Sequence, residues 1–239
     1  MTEIQEKANT IPQELSIAEI RKYTKEAAPL IHCITNPISI HDCANIILAA
    51  GARPIMAEHP AEVAEITAVA SALMLNLGNI TDARIESIQR ALKEANRRKI
   101  PVLLDLVGVT CSSLRREFAR KLLADGRFAV IKGNISEILA AADLPLHGTG
   151  IDAGSQDAIS QANEARYCTT AKKLAEHLGC TVMATGKLDL IADRHQAFLI
   201  ANGHTALSGI TGTGCMVGAL TAAYLPASVA LAFTGIPAA

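Results

Sequence analysis

Between residues 209 and 218 the chain reads Gly209-Ile210-Thr211-Gly212-Thr213-Gly214-Cys215-Met216-Val217-Gly218, just ahead of the small apolar run Ala219 to Tyr224. This pattern predicts a loop feeding a helix. Glycines let a backbone come close to a ligand, and the unpaired N–H groups of Gly212, Thr213, Gly214 and Cys215 at a helix start would face an anion, with phosphate favoured. Cys215 would stand where the helix dipole and those amides stabilise negative charge, its own or that of a group passing beside it. The stretch matches neither the Walker pattern nor the Gly-x-Gly-x-x-Gly dinucleotide pattern, and glycines before a helix also arise as a plain tight turn.

Three other positions carry polar groups at the ends of apolar runs. Asp105 closes Pro101 to Leu106, Lys132 to Glu137 follows Phe128 to Ile131, and Thr185-Gly186 follows Thr181 to Ala184. Phosphoryl transfer needs cations and N–H donors around the moving phosphate, and a metal held by carboxylates. Asp105 and Glu137 suit Mg²⁺, directly or through water; Lys132 suits a nucleotide phosphate, and Thr185 a hydrogen bond to one. A competing reading pairs Asn134 as a helix N-cap with Glu137 three residues on, a capping box. The competing reading of Cys215 is a small buried hydrophobe at a helix start.

Short apolar runs alternating with amphipathic segments must position these groups. Strands are predicted at Leu30 to Thr35, Arg53 to Ala57, Leu73 to Leu77, Pro101 to Leu106, Phe128 to Ile131 and Thr181 to Ala184, with helices between them. Leu188 to Ala192 and Gln196 to Ala201, joined by Asp193-Arg194-His195, predict an antiparallel hairpin at a sheet edge. The alternation indicates a mostly parallel sheet covered on both faces, whose ligands bind at the carboxyl ends of the strands. Residues 1–13 predict a flexible tail, 143–158 a loop, and 14–239 a single domain.

Composition narrows the function. Aromatics are 3 % of the 239 residues and the hydrophobic share is 50 %, so Ala, Ile, Leu and Val must build the core. The net charge of -1 and the lack of a long basic run argue against nucleic acid as a partner. No apolar run is read as long enough to span a bilayer. Six scattered cysteines without a Cys-x-x-Cys pair, and no secretory leader, predict a reduced, cytoplasmic protein. His32, Cys33, His41 and Cys43 cluster in sequence, yet their spacing matches no common zinc pattern.

Leu104-Asp105-Leu106-Val107-Gly108, Gly133 to Ile138, Ala184-Thr185-Gly186 and Gly209 to Cys215 fall in the order seen in ribokinase-like kinases. His32-Cys33-Ile34-Thr35-Asn36, Gly51 to Ala57 and the Thr-Gly-x-Gly-Cys core resemble, more narrowly, the hydroxyethylthiazole kinase family, over about residues 17–226. The resemblance implies a three-layer α/β/α ribokinase-like fold with a mostly parallel central sheet. It implies phosphorylation of 4-methyl-5-(2-hydroxyethyl)thiazole with MgATP in thiamine salvage, by a homotrimer with sites between subunits. Residue by residue, it implies that Gly212, Thr213, Gly214 and Cys215 receive the transferred phosphoryl group. It also implies that Lys132 and Thr185 contact ATP, that Asp105 and Glu137 form the Mg²⁺ environment, and that Met56, Gly212 and Asn36 line the thiazole pocket. Met56 reads equally as core packing.

The chain departs from that pattern in three places. Lys132 stands where arginine is common, which keeps the charge and loses the bidentate fork. Leu106 replaces the proline usual after the aspartate, and the domain is expected to be shortened at its C-terminus. The alternatives are another small-alcohol kinase of the hydroxymethylpyrimidine type, an ATP-dependent NAD(P)H-hydrate dehydratase, or a non-catalytic nucleotide- or thiazole-binding relative. The first two would carry an aspartate where Cys215 stands. A Rossmann dehydrogenase is disfavoured because no Gly-x-Gly-x-x-Gly follows the first strand.

Overall fold

Runs such as Ala-Leu-Met-Leu-Asn and Val-Leu-Leu-Asp are apolar on both sides of the strand, so they settle only in a sheet with both faces covered. In the computed structural model, which describes residues 16–143, 159 and 162–234, they do so. In chain order the elements are α1 (Ile17–Ala27), β1 (Leu30–Ile34), α2 (Ile40–Ala49), β2 (Arg53–Ile55), α3 (Val63–Val69), β3 (Ala72–Asn76), α4 (Asp82–Arg98), β4 (Val102–Asp105) and α5 (Ser113–Asp125). There follow β5 (Val130–Asn134), α6 (Ile135–Asp143), α7 (Glu164–Leu178), β6 (Thr181–Thr185), β7 (Asp189–Ala192), β8 (Ala197–Ile200) and α8 (Thr213–Thr234). The expected tail at 1–13, and nearly all of the expected loop at 143–158, lie outside the described residues.

The strands form one sheet in the order β2-β1-β3-β4-β5-β6-β7-β8. All neighbours from β2 to β6 run parallel, and β7 and β8 form the predicted antiparallel edge hairpin. Register alternation divides the core. Leu73, Leu75 and Leu104 pack on one face with residues of α3 to α7, such as Ile88, Phe118 and Leu174. Met74, Leu103 and Ile31 pack on the other with Ile47 of α2 and Ala219, Ala222 and Ala223 of α8. This is the three-layer α/β/α arrangement.

Local chemistry places the helix starts. Ser16 and Glu19 form a capping box on α1, Thr81 caps α4 through its bond from Arg84 N, and Ser112 caps α5 in the same way. Helix α8 corrects the expectation about apolar length. Thr213–Leu231 is long and apolar enough, by length and composition, to cross a membrane, and it continues through Pro226. Its buried alanines instead pack on the sheet, on α1 and on α2. Gly218 permits that approach, since a Cβ there would lie 2.9 Å from Met74 Cε and 3.5 Å from Asp105 Oδ2.

The zinc reading finds no support in the fold. His32 is buried on β1, with Nδ1 2.9 Å from Thr67 Oγ1 and Nε2 2.9 Å from the Ala57 carbonyl, so it joins β1 to α3 as a neutral ring. Cys33 is fully buried, with its thiol pushed well above the ordinary range by burial, and His41 is exposed. Burial also lowers the His32 pKa. The unfolded chain then binds a proton near pH 6.5 that the folded chain refuses, so this part of the stability is complete above that pH and is lost as pH falls below it. The melting temperature of the wild type should therefore fall more between pH 7 and pH 5 than that of His32→Gln, whose amide can still donate to Ala57. Equal slopes would remove His32 from the account.

Candidate active site

Every group singled out at a strand end lies at the carboxyl edge of the sheet. Asp105 ends β4, Lys132 is its register partner on β5, and Thr185 ends β6 next to Asn134. Lys132 Nζ donates to Asp105 Oδ2 at 3.1 Å, and both side chains are almost wholly buried. Asp105 Oδ1 accepts from Val107 N at 3.2 Å, which shapes the turn after β4.

The first turn of α8 lies over this pair. A Cβ on Gly214 would sit 3.7 Å from Lys132 Nζ. Gly212 precedes the helix at φ +85°, and a Cβ there would come within 3.0 Å of Ser39 Cβ. Only glycine takes that conformation without strain. The first intrahelical bond runs from Met216 N to the Gly212 carbonyl at 2.9 Å. Helix geometry therefore leaves the N–H groups of Thr213, Gly214 and Cys215 without an intrahelical acceptor, at the positive end of the dipole. These three N–H groups belong to the glycine-rich stretch that the sequence singles out.

On one side of the turn, Cys215 Sγ accepts from Asn36 Nδ2 at 3.2 Å and from Asn76 Nδ2 at 3.3 Å. Asn36 thus lies against Cys215. Arg84, buried on α4, donates from Nη2 to the Thr35 carbonyl and so holds the backbone just before Asn36.

On the other side lies a cleft of about 540 Å³, lined by Thr185, Gly186, Asp189, Gly203, Thr213 and Gly214 among others. Thr185 donates its hydroxyl to the Gly133 carbonyl at 3.2 Å. The Gly186 turn is closed by its N–H bond to Asp189 Oδ1 at 2.9 Å. Thr213 and Gly214 are common to the cleft and the helix turn, so a ligand in the cleft would lie beside those N–H groups.

Glu137 meets the capping reading in full. Asn134 Oδ1 accepts from Glu137 N at 2.8 Å, while Glu137 Oε2 accepts from Asn134 N at 2.7 Å. Its Oε1 accepts from Gly108 N at 2.6 Å, tying the β4 turn to the β5 turn. Gly133 makes room, since a Cβ there would be 2.9 Å from Glu137 Cβ. Burial pushes the Glu137 carboxyl up, the Asn134 and Gly108 amides pull it down, and the Asp105 charge adds to the rise. Glu137→Ala should lower the melting temperature, because it removes the side-chain half of the box and leaves Asn134 N and Gly108 N without their carboxylate acceptor; such caps are worth about 1 kcal/mol. An unchanged melting temperature would show that the turns stand without it.

Met56 stands apart. It follows β2 and packs against the cluster that Cys43 and Ile47 of α2 form with Cys215, Ala219 and Ala222 of α8. In the sheet, β1 and β3 lie between β2 and the strands that carry the Asp105–Lys132 pair.

Sequence reasoning missed Asn76, Ser39 and the Gly203 wall of the cleft. Asn76 carried a usable signal, a polar residue closing an apolar run as Asp105 does. Among the described residues no group of three or more His, Cys, Asp or Glu side chains is placed to hold a metal ion by itself.

A family model described as the hydroxyethylthiazole kinase family matches residues 21–237. Hydroxyethylthiazole kinase 2 of Clostridium botulinum strain 657 is 49 % identical over 207 residues, covering 87 % of this chain and 78 % of the relative. Hydroxyethylthiazole kinase of Clostridium acetobutylicum is 45 % identical over 201 residues, covering 84 % and 74 %. The solved hydroxyethylthiazole kinase protein of Pyrococcus horikoshii superposes with a TM-score of 0.77 at 31 % identity, covering 90 % of this chain and 80 % of that one. A ribokinase-like superfamily protein of Enterococcus faecalis, at 10 % identity and a TM-score of 0.59, shares the fold.

Proposed function

Because this chain belongs to the hydroxyethylthiazole kinase family, we propose that it transfers the γ-phosphoryl group of ATP to the hydroxyl of 4-methyl-5-(2-hydroxyethyl)thiazole, a step of thiamine salvage. The observation that carries the proposal is the first turn of α8. Its three N–H groups lie between a held cysteine sulfur on one side and a nucleotide-sized cleft on the other.

In this mechanism ATP occupies the cleft beside Thr185 and Gly186, with its γ-phosphate at the N–H groups of Thr213, Gly214 and Cys215. The thiazole alcohol approaches from the Asn36 side. The alcohol oxygen bonds to the γ-phosphorus as the bond from that phosphorus to the ADP oxygen breaks, and the hydroxyl proton passes to Cys215 Sγ. In a loose transition state the proton leaves late, so charge stabilisation by the anion hole outweighs the contribution of the base. Lys132, whose Nζ lies close to Gly214, supplies a cation to the moving group.

Asp105 and Glu137 are hard oxygen donors on adjacent turns, each with lone pairs beyond its present bonds, and this suits Mg²⁺ held largely through water. When bound, Mg²⁺ would neutralise charge on the ATP phosphates. Met56, on the far side of β1, serves a thiazole pocket completed by a second subunit, in a cytoplasmic homotrimer of single kinase domains.

The test is ADP release with MgATP and hydroxyethylthiazole, beside ATP alone and ATP with hydroxymethylpyrimidine. Release that depends on the thiazole supports the proposal. Release only with the pyrimidine, or none from a folded protein that binds ATP, contradicts it.

A further inference from the structure

Two buried carboxamides converge on Cys215, and their orientations are set by the backbone. The Asn36 side-chain oxygen accepts from Ser39 N at 3.2 Å, and the Asn76 side-chain oxygen accepts from Gly78 N at 2.9 Å. An amide whose oxygen is held by an N–H must turn its NH₂ group the other way. Both NH₂ groups therefore face the sulfur, at 3.2 Å and 3.3 Å, and Asn36 also donates to Asn76 Oδ1 at 3.3 Å. The packing leaves no slack. A Cβ on Gly78 would meet Asn76 Oδ1 at 2.9 Å and Asn36 Cβ at 3.1 Å. Asn76 is wholly buried at the end of β3 and Asn36 nearly so.

We infer that Asn76 is a positioning residue for the phosphoryl transfer: with Asn36 it offers Cys215 Sγ two N–H donors, fixing the sulfur as the hydrogen-bond acceptor that takes the alcohol proton. A sulfur that receives two donors is stabilised in its charged form, because hydrogen bonds to charged groups are stronger than those to neutral ones. Asn76 does not touch the substrates in this account; it acts through Sγ. The kinetic part rests on the kinase reading, whereas the effect on the sulfur does not.

The variant that isolates this role is Asn76→Asp. It keeps the oxygen that accepts from Gly78 N and replaces the NH₂ donor by an oxygen that repels a charged sulfur. The first readout is the alkylation rate of Cys215 by iodoacetamide, followed by mass spectrometry of the peptide that contains it. A fall of about tenfold in Asn76→Asp is expected. An unchanged rate in a folded variant overturns the inference, whatever the protein phosphorylates. The second readout is a cycle with Cys215→Ala. Asn76→Asp should lower kcat about tenfold with little change in KM, and should add less than about twofold once Cys215 is alanine. An equal loss in both backgrounds would assign Asn76 a structural role and overturn the positioning one. Slowed alkylation without thiazole-dependent turnover in any variant, wild type included, would keep the sulfur cradle and reject the kinase reading. If Asn76→Asp does not fold, Asn36→Asp carries the same two readouts for the other donor.

Discussion

Gly212→Ala should reduce kcat by about 10² to 10³-fold while leaving a folded protein that binds ATP, because the anion hole contributes charge stabilisation on that scale. Two costs meet at this position. The backbone stands at φ +85°, where a Cβ costs about 1–2 kcal/mol, and the added atom would press to 3.0 Å against Ser39 Cβ. Relief requires the start of α8 to move, and the N–H groups of Thr213, Gly214 and Cys215 move with it. Steady-state kinetics checks the loss, and a melting curve beside it separates a displaced hole from an unfolded protein. Turnover close to that of the wild type would mean that these amides do not hold the transferred group.

Lys132→Met should abolish measurable turnover and lower stability by about 3–5 kcal/mol, since it leaves Asp105 buried without its partner. Nζ and Oδ2 are 3.1 Å apart, and the side chains are 3 % and 2 % exposed, so the carboxylate would lose its cation in an almost wholly buried position. Lys132→Arg should keep most of the stability, because the charge remains. Chemical denaturation and ATP titration check the two effects separately. A Lys132→Met protein of wild-type stability would contradict the view that the pair is a coupled buried unit.

Much of the fold was legible because a parallel sheet buried on both faces leaves short, wholly apolar runs in the sequence. The polar residues that close those runs, Asp105 and Thr185, marked the carboxyl edge of the sheet. Asn134, read as a helix N-cap with Glu137, stands where the structure uses it. Long-range pairing was not legible. Asn36 and Asn76 lie 179 and 139 residues from Cys215, and nothing local to any of them announces that they share one sulfur. The length of α8 was hidden for another reason. It is apolar on all sides, so no amphipathic stripe marks it, and the helix continues through Pro226. The 3-10 turn at Thr205–Gly209 has neither a stripe nor a strand pattern to reveal it.

The central claim is that the first turn of α8 passes phosphate to a thiazole alcohol, and ³¹P NMR of a reaction mixture with MgATP and hydroxyethylthiazole tests it most directly. The account predicts a phosphomonoester resonance that grows in step with ADP and is lost in Gly212→Ala. ADP accompanied only by inorganic phosphate, or a phosphomonoester formed equally well by Gly212→Ala, would contradict it.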